Sequence, residues 1–224
     1  MNKNLVKNFS ALSLIQIGNY AIPLLLIPYI SRIVGLENYG KLEFARTLIF
    51  YFTIFINYGF DYTATREVSV YRFNKEKLKQ LVSEVYVAKV ILFIFSSLIL
   101  YFYIFFDSSL QDIKYLLWGT YLINIGFVLF PMWLFQGLEK ISSVAVINFI
   151  VKLAVLSLVF LLLKQKDQYW LYNVLQSVSQ ITIGIVSLII IRFYLKIPFE
   201  KISIKGVINR FKSGFSVFVS LILV

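Results

Sequence analysis

Residues 141–163 read ISSVAVINFIVKLAVLSLVFLLL, an apolar run carrying one charge, Lys152. As a helix rising 1.5 Å per residue it measures roughly 34 Å, enough to cross a hydrocarbon core about 30 Å thick. Charge-poor runs of comparable length recur at 9–34, 44–60, 85–106, 115–138 and 168–191. Strands of a membrane barrel would be about half as long and would alternate apolar with polar residues, which these runs do not. The chain therefore reads as an all-α membrane protein, a polytopic bundle of six transmembrane helices. Lys3 and Lys7 precede the first run as they would a signal peptide, but the run is too long and lacks a small-residue cleavage pattern, so it counts as a span. A seventh run, 213–224, would measure roughly 18 Å and is expected to be a helix cut short.

Composition agrees. Of 224 residues 59% are hydrophobic, 18% aromatic and only 15% charged, which excludes an ordinary soluble domain. The formal charge of +11 is concentrated between apolar runs, so its expected partner is anionic lipid and not nucleic acid. The absence of cysteine and histidine removes disulfides, thiol nucleophiles, imidazole acid–base chemistry and the usual zinc ligands. Neither an enzyme nor a cofactor is expected, and no metal site.

Alternation of six spans puts the N-terminal tail and segments 61–84, 139–140 and 192–212 on one side, with fourteen Lys and Arg. The other side, comprising segments around 35–43, 107–114 and 164–167, has six. The bias predicts a cytoplasmic N-terminus. Neither side carries a hydrophilic insert large enough to form a domain of its own, so function is expected within the bilayer.

Several polar residues occupy the spans. In the sixth, Asn173, Gln176, Ser177, Gln180, Gly184 and Ser187 share one face. That face either packs on another helix or lines a hydrated cavity, and both readings turn Gln176 and Gln180 inward. In the first span Gln16, Asn19 and Tyr20 lie on one face ahead of Pro23 and Pro28, which are expected to bend or break the helix. Lys152 lies mid-span, where a lysine costs about 2.5 to 3.5 kcal/mol unless compensated. Asn148 lies one turn away on the same face, and no acid occurs in this span. Lys152 is read as facing a cavity, with snorkelling to the interface as the competitor. Lys89, near a span end, is read as snorkelling, while Arg32 and Arg46 are either interfacial anchors or part of a basic vestibule. A preponderance of buried cations favours an anionic substrate.

Three stretches carry a family resemblance: Arg32 to Gly40 (RIVGLENYG), Tyr58 to Glu67 (YGFDYTATRE) and Pro131 to Lys140 (PMWLFQGLEK). In this order, at the ends of the first, second and fourth spans, they resemble the Wzx-type polysaccharide biosynthesis flippases of the multidrug/oligosaccharidyl-lipid/polysaccharide exporter superfamily. Tyr39 and Trp133 read as interfacial aromatic anchors. The resemblance implies two six-helix lobes around a central cavity open alternately to either side. The implied activity is flipping of undecaprenyl-diphosphate-linked oligosaccharide repeat units across the bacterial cytoplasmic (inner) membrane, for O-antigen lipopolysaccharide or capsule. Residues 1–208 would form the first lobe and 209–224 the start of the second. A faint repeat agrees: NLVKNFS at 4–10 recurs as NRFKSGFS at 209–216.

The expected substrate-binding set is Lys152, Asn148, Gln16, Asn19, Gln176, Gln180 and Arg46. Expected partners are the lipid-linked oligosaccharide, anionic lipids and other polysaccharide-assembly membrane proteins. Two alternatives remain beside this reading. A multidrug exporter of the superfamily would share the fold but is expected to need a membrane acid in this lobe. A membrane glycosyltransferase or polymerase would need acidic groups in a sizeable outer loop, where only Asp107 and Asp112 occur.

Overall fold

The computed structural model describes residues 3–222, and their side chains except those of 3–8, 11, 12, 14, 19, 143 and 222. Among these residues all regular structure is helical: α1 (Lys3–Asn57), α2 (Phe60–Tyr71), α3 (Lys75–Phe106), α4 (Lys114–Tyr121), α5 (Ile123–Leu129), α6 (Met132–Gly137), α7 (Ser142–Leu162), α8 (Trp170–Ile189) and α9 (Ile204–Ile222). Five helical stretches are long and apolar enough to cross a membrane: Ile15–Tyr71, Lys75–Phe106, Ser108–Gly137, Val144–Leu162 and Lys166–Tyr194. The 57 residues of the first are nearly three times the ~20 that one crossing needs.

That first stretch corrects the expected loop at 35–43. The chain stays helical on both sides of one non-helical residue, Gly35, whose φ of 80° and ψ of 162° are accessible to glycine and nearly closed to residues with a Cβ. Pro23 and Pro28 do not break the helix, which continues through both. Neighbouring helices tolerate such lost donors. Here α1 lies along α7, and Tyr29 donates from its hydroxyl to the Leu163 carbonyl at 3.1 Å.

Segment 61–84, expected to be a connector, is α2 followed by the first turns of α3. Asn74 starts α3 ten residues ahead of the apolar run, its side chain accepting from the Lys77 N–H at 3.1 Å. Such a cap contributes about 1 kcal/mol. With 32 residues α3 is roughly 48 Å long, so its polar first turns reach past the hydrocarbon.

The expected continuous fourth span, 115–138, is interrupted twice. Leu122 interrupts the α4–α5 junction, and Phe130 turns extended before Pro131. Proline disfavours the helical conformation in the residue before it and supplies no N–H, so α5 ends at Leu129. Trp133 follows in α6. Read from sequence as an interfacial anchor, it is instead 1% exposed and packs edge-on against Tyr86, ring centres 6.2 Å apart.

The expected short helix from residue 213 is the later part of α9, which starts at Ile204. Arg210 of α9 pairs with Glu67 of α2 and, at 3.1 Å, with the buried Glu84 of α3. Glu67 thus pairs across helices.

Two large apolar clusters and a smaller one of Ile15, Ile141 and Ala145 hold the bundle among the described residues. One large cluster gathers Leu26, Ile49, Leu100, Leu117, Val159 and Tyr172 from α1, α3, α4, α7 and α8. The other gathers Phe60, Val68, Val85, Trp133, Phe135 and Val207 from α2, α3, α6 and α9. Lipid is as apolar as these side chains, so helix association rests on close packing and hydrogen bonds worth about 0.6 kcal/mol each. Thr53 donates to Asn124 at 2.8 Å, Asn173 to Thr120 at 2.8 Å and Ser177 to the Gly119 carbonyl at 3.0 Å. Outward faces carry exposed Phe95, Phe102, Phe106, Leu161 and Ile185, as expected where lipid is the solvent.

Candidate functional site

Between the two large clusters lies a cavity of ≈ 540 Å³, the size of a small-molecule site. Its wall includes Ile123, which packs on the first cluster, and Phe130, which packs on the second. A neighbouring space of ≈ 480 Å³ shares Arg46, Phe50, Asn57, Ile123 and Phe127 with it, so the two adjoin.

Five of the seven residues singled out by sequence converge here from three helices: Arg46 on α1, Asn148 and Lys152 on α7, Gln176 and Gln180 on α8. Helical spacing explains the pairs, since residues four apart lie on one face. Lys152 is half-buried, its stem crossing Gly18 of α1. Asn148 is 4% exposed, and its side-chain oxygen has no hydrogen-bond partner among the described residues. Gln16 is exposed and does not line the cavity. The side chain of Asn19 lies outside the described residues.

The polar stripe of α8 divides between its two readings. Asn173, Ser177 and Gly184 pack against α4 and α5, whereas Gln176, Ser179 and Gln180 face the cavity. The packing half needs close approach. A Cβ on Gly126 of α5 would lie 2.4 Å from the Gln180 carbonyl carbon, so the two backbones touch where Gln180 turns inward.

The lining is less purely cationic than the sequence suggested. Arg46 is held by Glu43 at 2.7 Å and lies 5.7 Å from the Tyr172 ring centre. Asp61, the first residue after the apolar run 44–60, also lines the cavity. The turn at Tyr58 and Gly59 between α1 and α2 brings it there, with φ of 47° and 74°.

Sequence reasoning also missed Lys89. It does not snorkel: it is 2% exposed and donates to the Phe127 carbonyl at 2.7 Å. The available signal was Pro131, whose missing N–H leaves the carbonyl four residues earlier in need of a donor.

Chemically, the cavity offers an ammonium and a guanidinium to anionic oxygens, amides to hydroxyl groups and aromatic rings to apolar faces.

Comparison with known proteins gives this cavity its context. The chain is 28% identical over 223 residues, 98% of its length, to a protein of Escherichia coli (strain K12) named "Putative O-antigen transporter". It is 25% identical over 216 residues, 96% of its length, to a Shigella dysenteriae protein of the same name. An uncharacterized membrane protein of Haemophilus influenzae is 34% identical over 68 residues, 30% of this chain and 17% of that protein. The chain spans about half of the two longer matches, 54% of each. No solved structure matches it significantly. The profile of the polysaccharide biosynthesis protein family covers residues 5–224, nearly the whole chain, and the chain belongs to that family.

Proposed function

We propose that this chain is one lobe of a transporter that moves polysaccharide precursors across the bacterial cytoplasmic membrane, flipping undecaprenyl-diphosphate-linked repeat units. The observation that carries this reading is the convergence of Lys152, Arg46, Asn148, Gln176 and Gln180 on one cavity inside an all-helical bundle. Residues 1–208 form the lobe and 209–224 open a second one, in keeping with the half-length match to relatives named as O-antigen transporters. Moving a diphosphate through hydrocarbon is prohibitive without compensating charge. Lys152 and Arg46 lower that cost. The amides meet sugar hydroxyls, and the polyprenyl tail stays in lipid. Alternating access then comes from rocking of two lobes about the cavity.

Asp61 on the wall favours a second reading, an exporter of organic cations from the same superfamily, because a membrane carboxylate is what a cation would seek. Full-length protein reconstituted in vesicles separates the two. Flipping of a fluorescent lipid-linked oligosaccharide, inhibited by excess undecaprenyl diphosphate and indifferent to cationic dyes, is expected. Dye transport without oligosaccharide flipping would replace the first reading with the second. Residues 1–224 alone are expected to flip nothing, since one lobe supplies one wall.

The N-terminus is cytoplasmic in this proposal. Single cysteines at Lys77 and Ser109, both exposed, test it. Impermeant maleimide added to whole cells is expected to label position 109 and spare 77, and the reverse pattern would invert the topology.

A further inference from the structure

Lys89 is buried on α3, one helical turn after Tyr86 on the same face. Both reach the end of α5. Tyr86 donates from its hydroxyl to the Leu129 carbonyl at 3.0 Å, and Lys89 donates from its ammonium to the Phe127 carbonyl at 2.7 Å. In an uninterrupted helix the Phe127 carbonyl would accept from the N–H of residue 131. Residue 131 is proline and has none. The last regular bond of α5 is therefore Phe130 N–H to the Gly126 carbonyl, at 2.8 Å. Lysine supplies the donor that proline withholds, and its positive charge sits at the negative end of the helix.

The capped segment is the cavity wall itself, because Ile123, Phe127, Phe130 and Met132 line it. Asp61 lines the same cavity and attracts the Lys89 ammonium electrostatically. One buried lysine thus secures the broken helix and offsets the carboxylate that would repel an anion.

We infer that Lys89 is a positioning residue for the candidate site: by capping the carbonyl that Pro131 leaves without a donor, it holds the α5 wall in the shape that admits substrate. This rests on the transport reading above, but its first test does not need substrate.

The test uses full-length protein made free of cysteine, with Phe130→Cys as a reporter on the wall. Its labelling rate by a water-soluble maleimide is compared in Lys89→Met, Lys89→Arg and Lys89→Met/Pro131→Ala. Methionine keeps an apolar stem and loses donor and charge. Lys89→Met is expected to change the labelling rate severalfold and lower export about tenfold at matched protein level, the scale of losing a charged donor to a buried acceptor. Lys89→Arg is expected to stay within about twofold of wild type, since it keeps both donor and charge. Pro131→Ala is expected to restore the labelling rate in the Met background, because residue 131 regains an N–H for the Phe127 carbonyl. If Lys89→Met fails to accumulate, recovered accumulation in the double variant supports the cap equally.

Unchanged labelling in Lys89→Met, or failure of Pro131→Ala to restore what it loses, overturns the inference. A labelling response as expected, in a protein that proves to move no lipid-linked oligosaccharide, would remove the transport reading and leave the cap standing.

Discussion

Lys152→Gln in the full-length protein is expected to lower polysaccharide export about tenfold or more, the weight of one charge-assisted contact to a phosphate oxygen. Lys152→Arg is expected to retain most of the activity. Both side chains can follow the same path over Gly18 into the cavity beside Asn148. Only arginine keeps the positive charge, so comparing the two at matched protein levels isolates charge from size. Surface polysaccharide measured in cells lacking the chromosomal transporter gives the readout. Equal, near-wild-type export by both variants would make Lys152 a packing residue and remove it from the substrate path. Asn148→Leu is expected to cost less, because a single neutral hydrogen bond contributes about 1 kcal/mol.

The largest effect on stability is expected at Gly126. A methyl group there would sit 2.4 Å from the Gln180 carbonyl carbon, 2.5 Å from its oxygen and 2.6 Å from the Ile181 nitrogen. These are backbone atoms of a packed helix and cannot rotate aside. Gly126→Ala must therefore separate α5 from α8, straining the hydrogen bonds of Asn173 and Ser177 to α4 nearby. Overpacking of this kind costs about 1 to 3 kcal/mol, enough to lower the melting temperature by several degrees in detergent. Gly40→Ala is the control. A Cβ there meets nothing within 4 Å, and alanine is the better helix former. A Gly126→Ala protein melting with wild type would show that the α5–α8 crossing yields more readily than its backbone contact implies. Because Gln180 lies at that crossing and faces the cavity, export is expected to fall with stability.

Asp61 and Gln16 show how the site departs from the linear pattern. Gln16 was grouped with Asn19 by helical spacing alone, and spacing cannot say whether a residue lines a cavity or stays exposed. Asp61 follows the apolar run 44–60 directly, which in the sequence puts it in the segment between spans. The turn at Tyr58 and Gly59 swings it onto the cavity wall, so the site carries Asp61 beside Lys152 and Arg46, and Arg46 is itself paired with Glu43.

By itself the sequence determined the class of the protein. Apolar length and charge placement are local quantities, and a helix in lipid satisfies its own backbone, so the runs around 85–106, 141–163 and 168–191 were legible without reference to one another. The inward turn of Gln176 and Gln180 was legible too, because a polar face on an apolar helix must avoid lipid. Tertiary structure decided what depends on contacts distant in sequence. Lys89 meets Phe127 across 38 positions, and Asn173 meets Thr120 across 53. A buried lysine and a snorkelling one look alike in a sequence, since the difference lies in whether another helix offers a carbonyl within reach. Here Pro131 left that carbonyl free, and only the packing of α3 against α5 brought the two together.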